Sequence, residues 1–233
     1  MLGDKRVLAI IPARGGSKRL PRKNLLEFCG KPLVVWSIDA AINSKYIDSV
    51  VVSTDDEEIA KVSLAAGAEI PFIRPVSISG DISTSNSVLM HAIENVPGVY
   101  DIVVLLQPTS PLRMTSDIDN ALQLLHSADI DGVISVCECE HSPLWSNTIV
   151  DRVGLQGFIP DSYVGMRSQD LPKYYRFNGS IYAFTTCSLM LNRGIHYSAS
   201  VYPFTMDTQR SIDIDNKIDF ITAETIMKNY SVL

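Results

Sequence analysis

Two groups of residues have the types and spacing for chemistry. The first is PARGGSKRLPRKN, from Pro12 to Asn24, directly after the apolar run RVLAII. Arg14, Lys18, Arg19, Arg22 and Lys23 give it too much charge for a core, and the pair Gly15-Gly16 lets backbone N–H groups approach a ligand closely. Arg and Lys here, with Ser17, are donors suited to phosphate oxygens. The second group is Asp213 and Asp215 in SIDID. In an extended chain, residues two apart share a face. Paired carboxylates suit Mg²⁺, which takes a few carboxylates together with waters and substrate phosphates; equally, Asp215 stands where it would cap a final helix. A basic loop and an acidic pair together suggest a polyphosphate and its cation.

The loop lacks the G-x-x-x-x-G-K-[ST] spacing of a P-loop and the G-x-G-x-x-G of a dinucleotide fold. A third polar stretch is QPTSPLR, Gln107 to Arg113, placed after the apolar run DIVVLL. Arg167 and Arg176 are candidates for a planar carboxylate, with Asn178-Gly179 following. His141, next to Ser142-Pro143, reads as a ligand contact or a structural residue, and His91, His126 and His196 have no evident partner. No Ser/His/Asp or Cys/His arrangement supports covalent catalysis.

These residues need elements to hold them. RVLAII reads as a buried first strand, Leu33 to Ala40 as a helix after Gly30-Lys31-Pro32, and residues 47–53 as a strand. Thr54 and Glu57 have the capping-box form before a helix closed by Gly67, and AEIPFI follows as a short strand. Ser83, Thr84, Ser85 and Ser87 crowd the start of a helix over 88–95, where one hydroxyl caps and others are left for a ligand. Residues 101–106 read as a central strand buried on both faces. A helix over 117–127, the strand GVISVCE, the strand RFNGSIYAF, a helix near 186–192, a strand near 200–204 and a last helix complete the alternation. Strands alternating with helices predict a three-layer α/β/α, Rossmann-like fold with a mainly parallel sheet. Such sheets bind ligands beyond the carboxyl ends of their strands, where the basic loop and QPTSPLR fall. Residues 140–175 break the rhythm, as a lid or as an arm for a partner subunit within a single domain spanning 1–233.

The 233 residues carry a formal net charge of −6, so a basic nucleic-acid-binding surface is not expected and the local positive loop points to a small anion. No apolar run reaches membrane-spanning length, and the start lacks a signal peptide's pattern, so a cytoplasmic protein is expected. Cys29, Cys137, Cys139 and Cys187 show no metal spacing and read as reduced packing residues.

In order and at suitable spacing, PARGGSKRLPRKN, STDD, RP…DISTS, LLQPTSPLR, RFNGSIY and SIDID resemble the acylneuraminate cytidylyltransferases, the CMP-sialic acid synthetases with their legionaminate and pseudaminate relatives. The resemblance covers nearly the whole chain. It implies the nucleotide-diphospho-sugar transferase fold, and a Mg²⁺-dependent reaction of CTP with a nonulosonic acid that gives the CMP-sugar and pyrophosphate. It implies that Arg14, Gly15, Ser17, Lys18 and Lys23 hold the triphosphate, and that Asn24, Arg74 and Ser85 shape the cytidine pocket. Gln107 would orient the sugar, with Arg167, Arg176 and Asn178 on the sugar side. Asp213 and Asp215 would bind Mg²⁺, and Asp213 or a water on its metal would help deprotonate the attacking hydroxyl. The excursion would cross to the partner of a homodimer. One departure concerns the sugar: sialic acid members place a Lys after the His-x-Pro-x pattern, and HSPLW has Trp145 there, which favours legionaminic or pseudaminic acid over N-acetylneuraminic acid. The alternatives are a Kdo-type or other sugar nucleotidyltransferase of the same fold, and a non-catalytic nucleotide-binding protein.

Overall fold

A computed structural model describes residues 2–80, 82–128, 130–149 and 154–230. A six-stranded sheet runs through it in the order β4-β1-β5-β7-β6-β8. The strands are β1 (Val7–Pro12), β4 (Ser49–Ser53), β5 (Ile102–Leu106), β6 (Gly132–Glu138), β7 (Tyr175–Thr185) and β8 (Val201–Thr205); β2 (Glu27–Phe28) and β3 (Lys31–Pro32) form a separate small hairpin. Six helices accompany them among the described residues: α1 (Leu33–Ile42), α2 (Glu57–Ala65), α3 (Ser85–Asn95), α4 (Thr115–Ser127), α5 (Thr186–Asn192) and α6 (Lys217–Tyr230).

The α/β expectation holds, with one reversal. β1 runs parallel to β4 and β5, and β6 parallel to β8, while β7 is antiparallel to both β5 and β6. The run Ile102–Leu106 is buried throughout because it packs on both sides. Ile102, Val104 and Leu106 join the core beneath α1 and α4, and Val103 and Leu105 join the core beneath α3 and α5. A third cluster forms where Phe28 meets Trp36 and Phe220 edge-on, fastening α6 to α1.

Several local expectations change. The α2 cap is Asp56, not Thr54: its Oδ1 accepts from the N–H groups of Glu58 and Ile59, and Thr54 Oγ1 accepts from the Asp56 N–H. AEIPFI keeps one bridge, Val51 to Glu69, because Pro71 ends any ladder. α3 begins at Ser85, with Thr84 as the capping hydroxyl over the Ser87 N–H. Asp215 does not cap α6. Asn216 does, accepting from Ile218 and Asp219, while Asp219 Oδ2 accepts in return from Asp215 and Asn216. The excursion lies between antiparallel neighbours, leaving β6 at Glu138 and re-entering β7 at Tyr175, its register partner. It is described over 140–149 and 154–174, as short 3-10 turns at Pro143–Trp145, Asp161–Tyr163 and Ser168–Asp170.

Candidate active site

The chain passes from β1 to β4 on one side and to β5 on the other, so the strand order reverses between β1 and β5. Loops leaving two such strands at their carboxyl ends diverge and leave a crevice. Here they are the basic loop after Pro12 and the Gln107–Arg113 loop after Leu106. A cleft of about 450 Å³ lies between them, lined by Arg14, Ser17, Lys18, Arg19, Lys23, Asn24, Pro108, Thr109 and Asp215 among others.

The sequence does much of the shaping. Gly15 is required by closeness: a Cβ there would stand 2.6 Å from Asp56 Oδ2. Its N–H donates to Asp55 Oδ1 at 3.0 Å, and the same oxygen lies 3.4 Å from the buried Arg74 guanidinium. Arg74 is thereby tied to the loop, and its Nε donates to Ser79 Oγ. Burial, opposed by Asp55, pulls the Arg74 pKa down from the usual range. Asn24 is buried and donates to the Arg14 carbonyl at 3.0 Å, which closes the loop on itself.

The acidic segment forms the facing wall. Ile214 N–H donates to the Thr109 carbonyl at 2.8 Å, pinning SIDID to the Gln107 loop. Lys23 Nζ donates to the Ile214 carbonyl and lies 3.3 Å from Asp215 Oδ1, while Arg19 meets Asp215 Oδ2 at 2.8 Å. Both oxygens of Asp215 therefore face cations of the basic loop. The Asp213 carboxyl is pushed up by desolvation, opposed by the Thr109 hydroxyl and reinforced by the neighbouring Asp215 charge.

Gln107 is placed by two devices that the sequence reading did not assign to it. Arg113, expected to meet ligand, is instead buried; it donates to the Gln107 and Ser180 carbonyls at 3.2 and 2.9 Å and to Ser37 Oγ at 2.6 Å. Desolvation takes its pKa down to about 10. The second device is Gly179. Between the pairs Ile134–Tyr182 and Val136–Phe177 the register shifts, so β7 bulges over 178–181. Gly179 takes φ +74° there, and a Cβ would stand 2.6 Å from Gln107 Oε1. The glycine thus leaves room for the carboxamide.

The remaining sugar-side residues are not brought to the cleft. Asn178 is fully buried with both ends of its amide engaged: Oδ1 accepts from Ser135 Oγ and the Ser180 N–H, and Nδ2 donates to Ser211 Oγ. It locks the bulge and presents no free group to a ligand. Arg176 forms a two-pronged pair with Glu140, and Arg167 pairs with Asp170 in the excursion with its side chain 72% exposed. Ser85 is exposed at the first turn of α3, outside the cleft lining. Asp55 belongs to the site although the sequence reading gave it no role, while Arg19 and Thr109 fall in the two loops expected to meet ligand. Asp55 had a signal in STDD, set beside a loop rich in donors.

A basic glycine loop at a switch point, facing an acidic strand end across a polar cleft, defines a nucleotide-using α/β transferase. A family model described as Cytidylyltransferase matches residues 8–228, and the chain belongs to that family. It is 36% identical to CMP-N,N'-diacetyllegionaminic acid synthase of Legionella pneumophila, over 96% of this chain and 97% of that protein. It is 35% identical to pseudaminic acid cytidylyltransferase of Campylobacter jejuni, over 95% and 96% respectively. It is also 35% identical to N-acylneuraminate cytidylyltransferase of Streptococcus agalactiae, over 92% of this chain but 51% of that longer one. Among solved structures, a CMP:2-keto-3-deoxy-manno-octonic acid synthetase with CTP superposes with a TM-score of 0.73 at 20% identity, covering 97% of this chain and 99% of that one. The 4-diphosphocytidyl-2C-methyl-D-erythritol synthase of Anaerococcus prevotii superposes with a TM-score of 0.68 at 16% identity, covering 97% and 98%. These two likenesses concern the fold.

Proposed function

We propose that this protein transfers CMP from CTP to the anomeric hydroxyl of a nonulosonic acid, releasing pyrophosphate. The observation that carries the reading is the cleft between the basic loop and the Asp213–Asp215 segment, with Gln107 held at its edge. Arg14, Ser17, Lys18 and Lys23, with the backbone of Gly15, line the place for the triphosphate. Asn24 and Arg74 fix the loop's shape. In-line attack by the sugar hydroxyl on the α-phosphorus needs positioning and charge neutralisation more than covalent chemistry. Lys23 and Arg19 bear on the negative charge that develops as pyrophosphate leaves. Asp213 is the group to which we assign the hydroxyl's proton.

The residues fit Mg²⁺. Asp213 and Asp215 supply two carboxylates, the repulsion between them would be relieved by a cation, and phosphate oxygens and waters would complete the shell. When bound, the ion neutralises charge on the phosphates.

On the acceptor side, the excursion serves as the arm by which two copies pair. Ile149, Leu155 and Val164 stand exposed along it, apolar surface that a second subunit would cover. Arg167 and Arg176 then meet the sugar carboxylate or its surroundings once the partner is in place. Trp145 in place of an ammonium favours legionaminic or pseudaminic acid. The cytoplasm is the proposed setting, consistent with four free cysteines. Among the described residues no helix is long and apolar enough to cross a membrane.

The test is pyrophosphate release with CTP and Mg²⁺ against N-acetylneuraminic, legionaminic, pseudaminic and Kdo acids in parallel. Turnover with one nonulosonate supports the reading. Turnover with Kdo alone replaces the acceptor, and CTP binding without turnover on any of them overturns the acceptor class.

A further inference from the structure

A second cavity, of about 610 Å³, lies on the far side of the Gln107–Arg113 loop, between α1, the start of α4 and α6. That size is ordinary for a small-molecule site. Its surface is mainly apolar, with Trp36, Leu112, Met114 and Met227 in the wall, and Met114 is 54% exposed. Soluble proteins seldom leave a thioether, an indole and a leucine around an open space without use for it.

Its charged groups are paired with one exception. Arg113 forms part of the wall and is only 3% exposed. Its hydrogen-bond acceptors are two carbonyls and a hydroxyl, all neutral, and its Nε–H has no acceptor. A buried guanidinium without a carboxylate bonded to it is an uncompensated charge. Asp117 is the nearby acid, but it already takes Arg210 at 2.9 Å and the Met114 N–H at 2.9 Å. Lys31, over the Trp36 ring at 3.7 Å, is matched by Asp39. Arg210 completes the wall, with Asp207 as its second acid at the exposed end. Met114 is the N-cap of α4, where an oxygen usually stands, and its sulfur is a weak acceptor. Asp117, in the first turn of this thirteen-residue helix, accepts from the Met114 N–H and closes that end, with Arg113 and Arg210 beside it.

We infer that this cavity binds a small amphipathic carboxylate, its acid group toward Arg113 and Arg210, its apolar body against Trp36, Leu112, Met114 and Met227. The geometry separates it from the nucleotide cleft while sharing a structural member with it. Arg113, beneath the cavity, also holds the Gln107 carbonyl, so a ligand here presses on the loop that carries Gln107. Coupling between two such sites is reciprocal.

Octanoate is the probe, with 1-octanol as the body without the charge and acetate as the charge without the body. Isothermal titration calorimetry on the full chain is expected to show one octanoate per chain, bound at least tenfold more tightly than either control. Ser116→Trp, at the exposed second residue of α4, fills the cavity mouth, and Arg210→Met removes one cation. Each is expected to weaken octanoate at least tenfold while CTP binding and the circular dichroism spectrum stay as they were. Unchanged octanoate affinity in a folded Ser116→Trp chain overturns the assignment. So do octanol bound as tightly as octanoate, several octanoates adsorbed per chain, and no heat with any probe at millimolar concentration.

Discussion

Gly179→Ala isolates the role of Gln107 without touching it chemically. At φ +74° an alanine costs about 1–2 kcal/mol relative to a right-handed or extended position. For a chain of this size, about 2–4 °C of Tm follows each kcal/mol, so a loss of about 2–8 °C is expected and the fold survives. The added Cβ would sit 2.6 Å from Gln107 Oε1, where ordinary contact begins at 3.4 Å. Arg113 holds the Gln107 backbone carbonyl, so the side chain must retreat by the difference, about 0.8 Å. A misplacement near 1 Å in a positioning group costs about 10²-fold in rate. Pyrophosphate release is therefore expected to lose about 10²-fold in kcat/KM for the acid, with the Kd for CTP unchanged by calorimetry. If the glycine acts through Gln107, the double variant Gln107→Ala with Gly179→Ala is no slower than Gln107→Ala alone. Full turnover in a folded Gly179→Ala chain would refute the positioning of the acceptor by Gln107. Loss of CTP binding would refute the division of the cleft.

Asn178→Ala leaves the Ser135 and Ser211 hydroxyls short of partners in a buried network, so unfolding in urea should show a loss of about 1–3 kcal/mol while the KM for the acid stays near its original value. A sugar-specific KM defect without a stability loss would restore Asn178 to the acceptor site. Asp215→Asn removes the carboxylate that lies between Arg19 and Lys23. Metal-free CTP should then bind more tightly by fluorescence competition while turnover with Mg²⁺ falls, and weaker metal-free binding would sink the idea. The Arg176 hydrogen bonds hold the Glu140 carboxyl below its ordinary range. A depressed acid stabilises the fold above its unfolded pKa and loses that contribution as pH falls through the folded one. Arg176→Met should accordingly flatten the decline of Tm below about pH 4.5, the ordinary pKa of that carboxyl. An identical pH profile would remove the pair from the acid response.

The parts of the fold set by local pattern were legible in the chain. The apolar run at 102–106 and the α/β alternation are read directly because burial on both faces leaves no polar residue to interrupt them. The helix expected near 186–192 is Thr186–Asn192, with Thr185 as its N-cap and Arg193 in the left-handed conformation at its end. Caps were misread where several oxygens compete: Thr54, Asp55 and Asp56 all precede α2, and only the backbone geometry selects Asp56. The basic loop was legible as one wall of a cleft because charge and glycine cluster within it. The reversal of β7, its bulge at Gly179 and the buried work of Arg113 and Asn178 were not, because each depends on what lies across the sheet. An arginine after a proline-rich loop reads the same whether it faces a ligand or braces the loop from behind.

The excursion hangs from a closed stem. Glu138 pairs with Tyr175, the Cys139 N–H donates to the Tyr174 carbonyl at 2.8 Å, and Lys173–Glu138 and Arg176–Glu140 reinforce the same end. With its ends fixed, a loop is insensitive to its own length: doubling it costs only about 0.6 kcal/mol in closure entropy. Insertions, deletions and wholesale replacement between Glu138 and Tyr175 therefore leave β6, the β7 bulge and Gln107 where they are. The segment is free to drift under selection for a new acceptor or a new neighbour while the nucleotide cleft, built from β1, β4 and β5, stays under the stricter constraint of packing. A lineage of such chains would be expected to keep one donor and diversify its acceptors, with changes concentrated between those two residues.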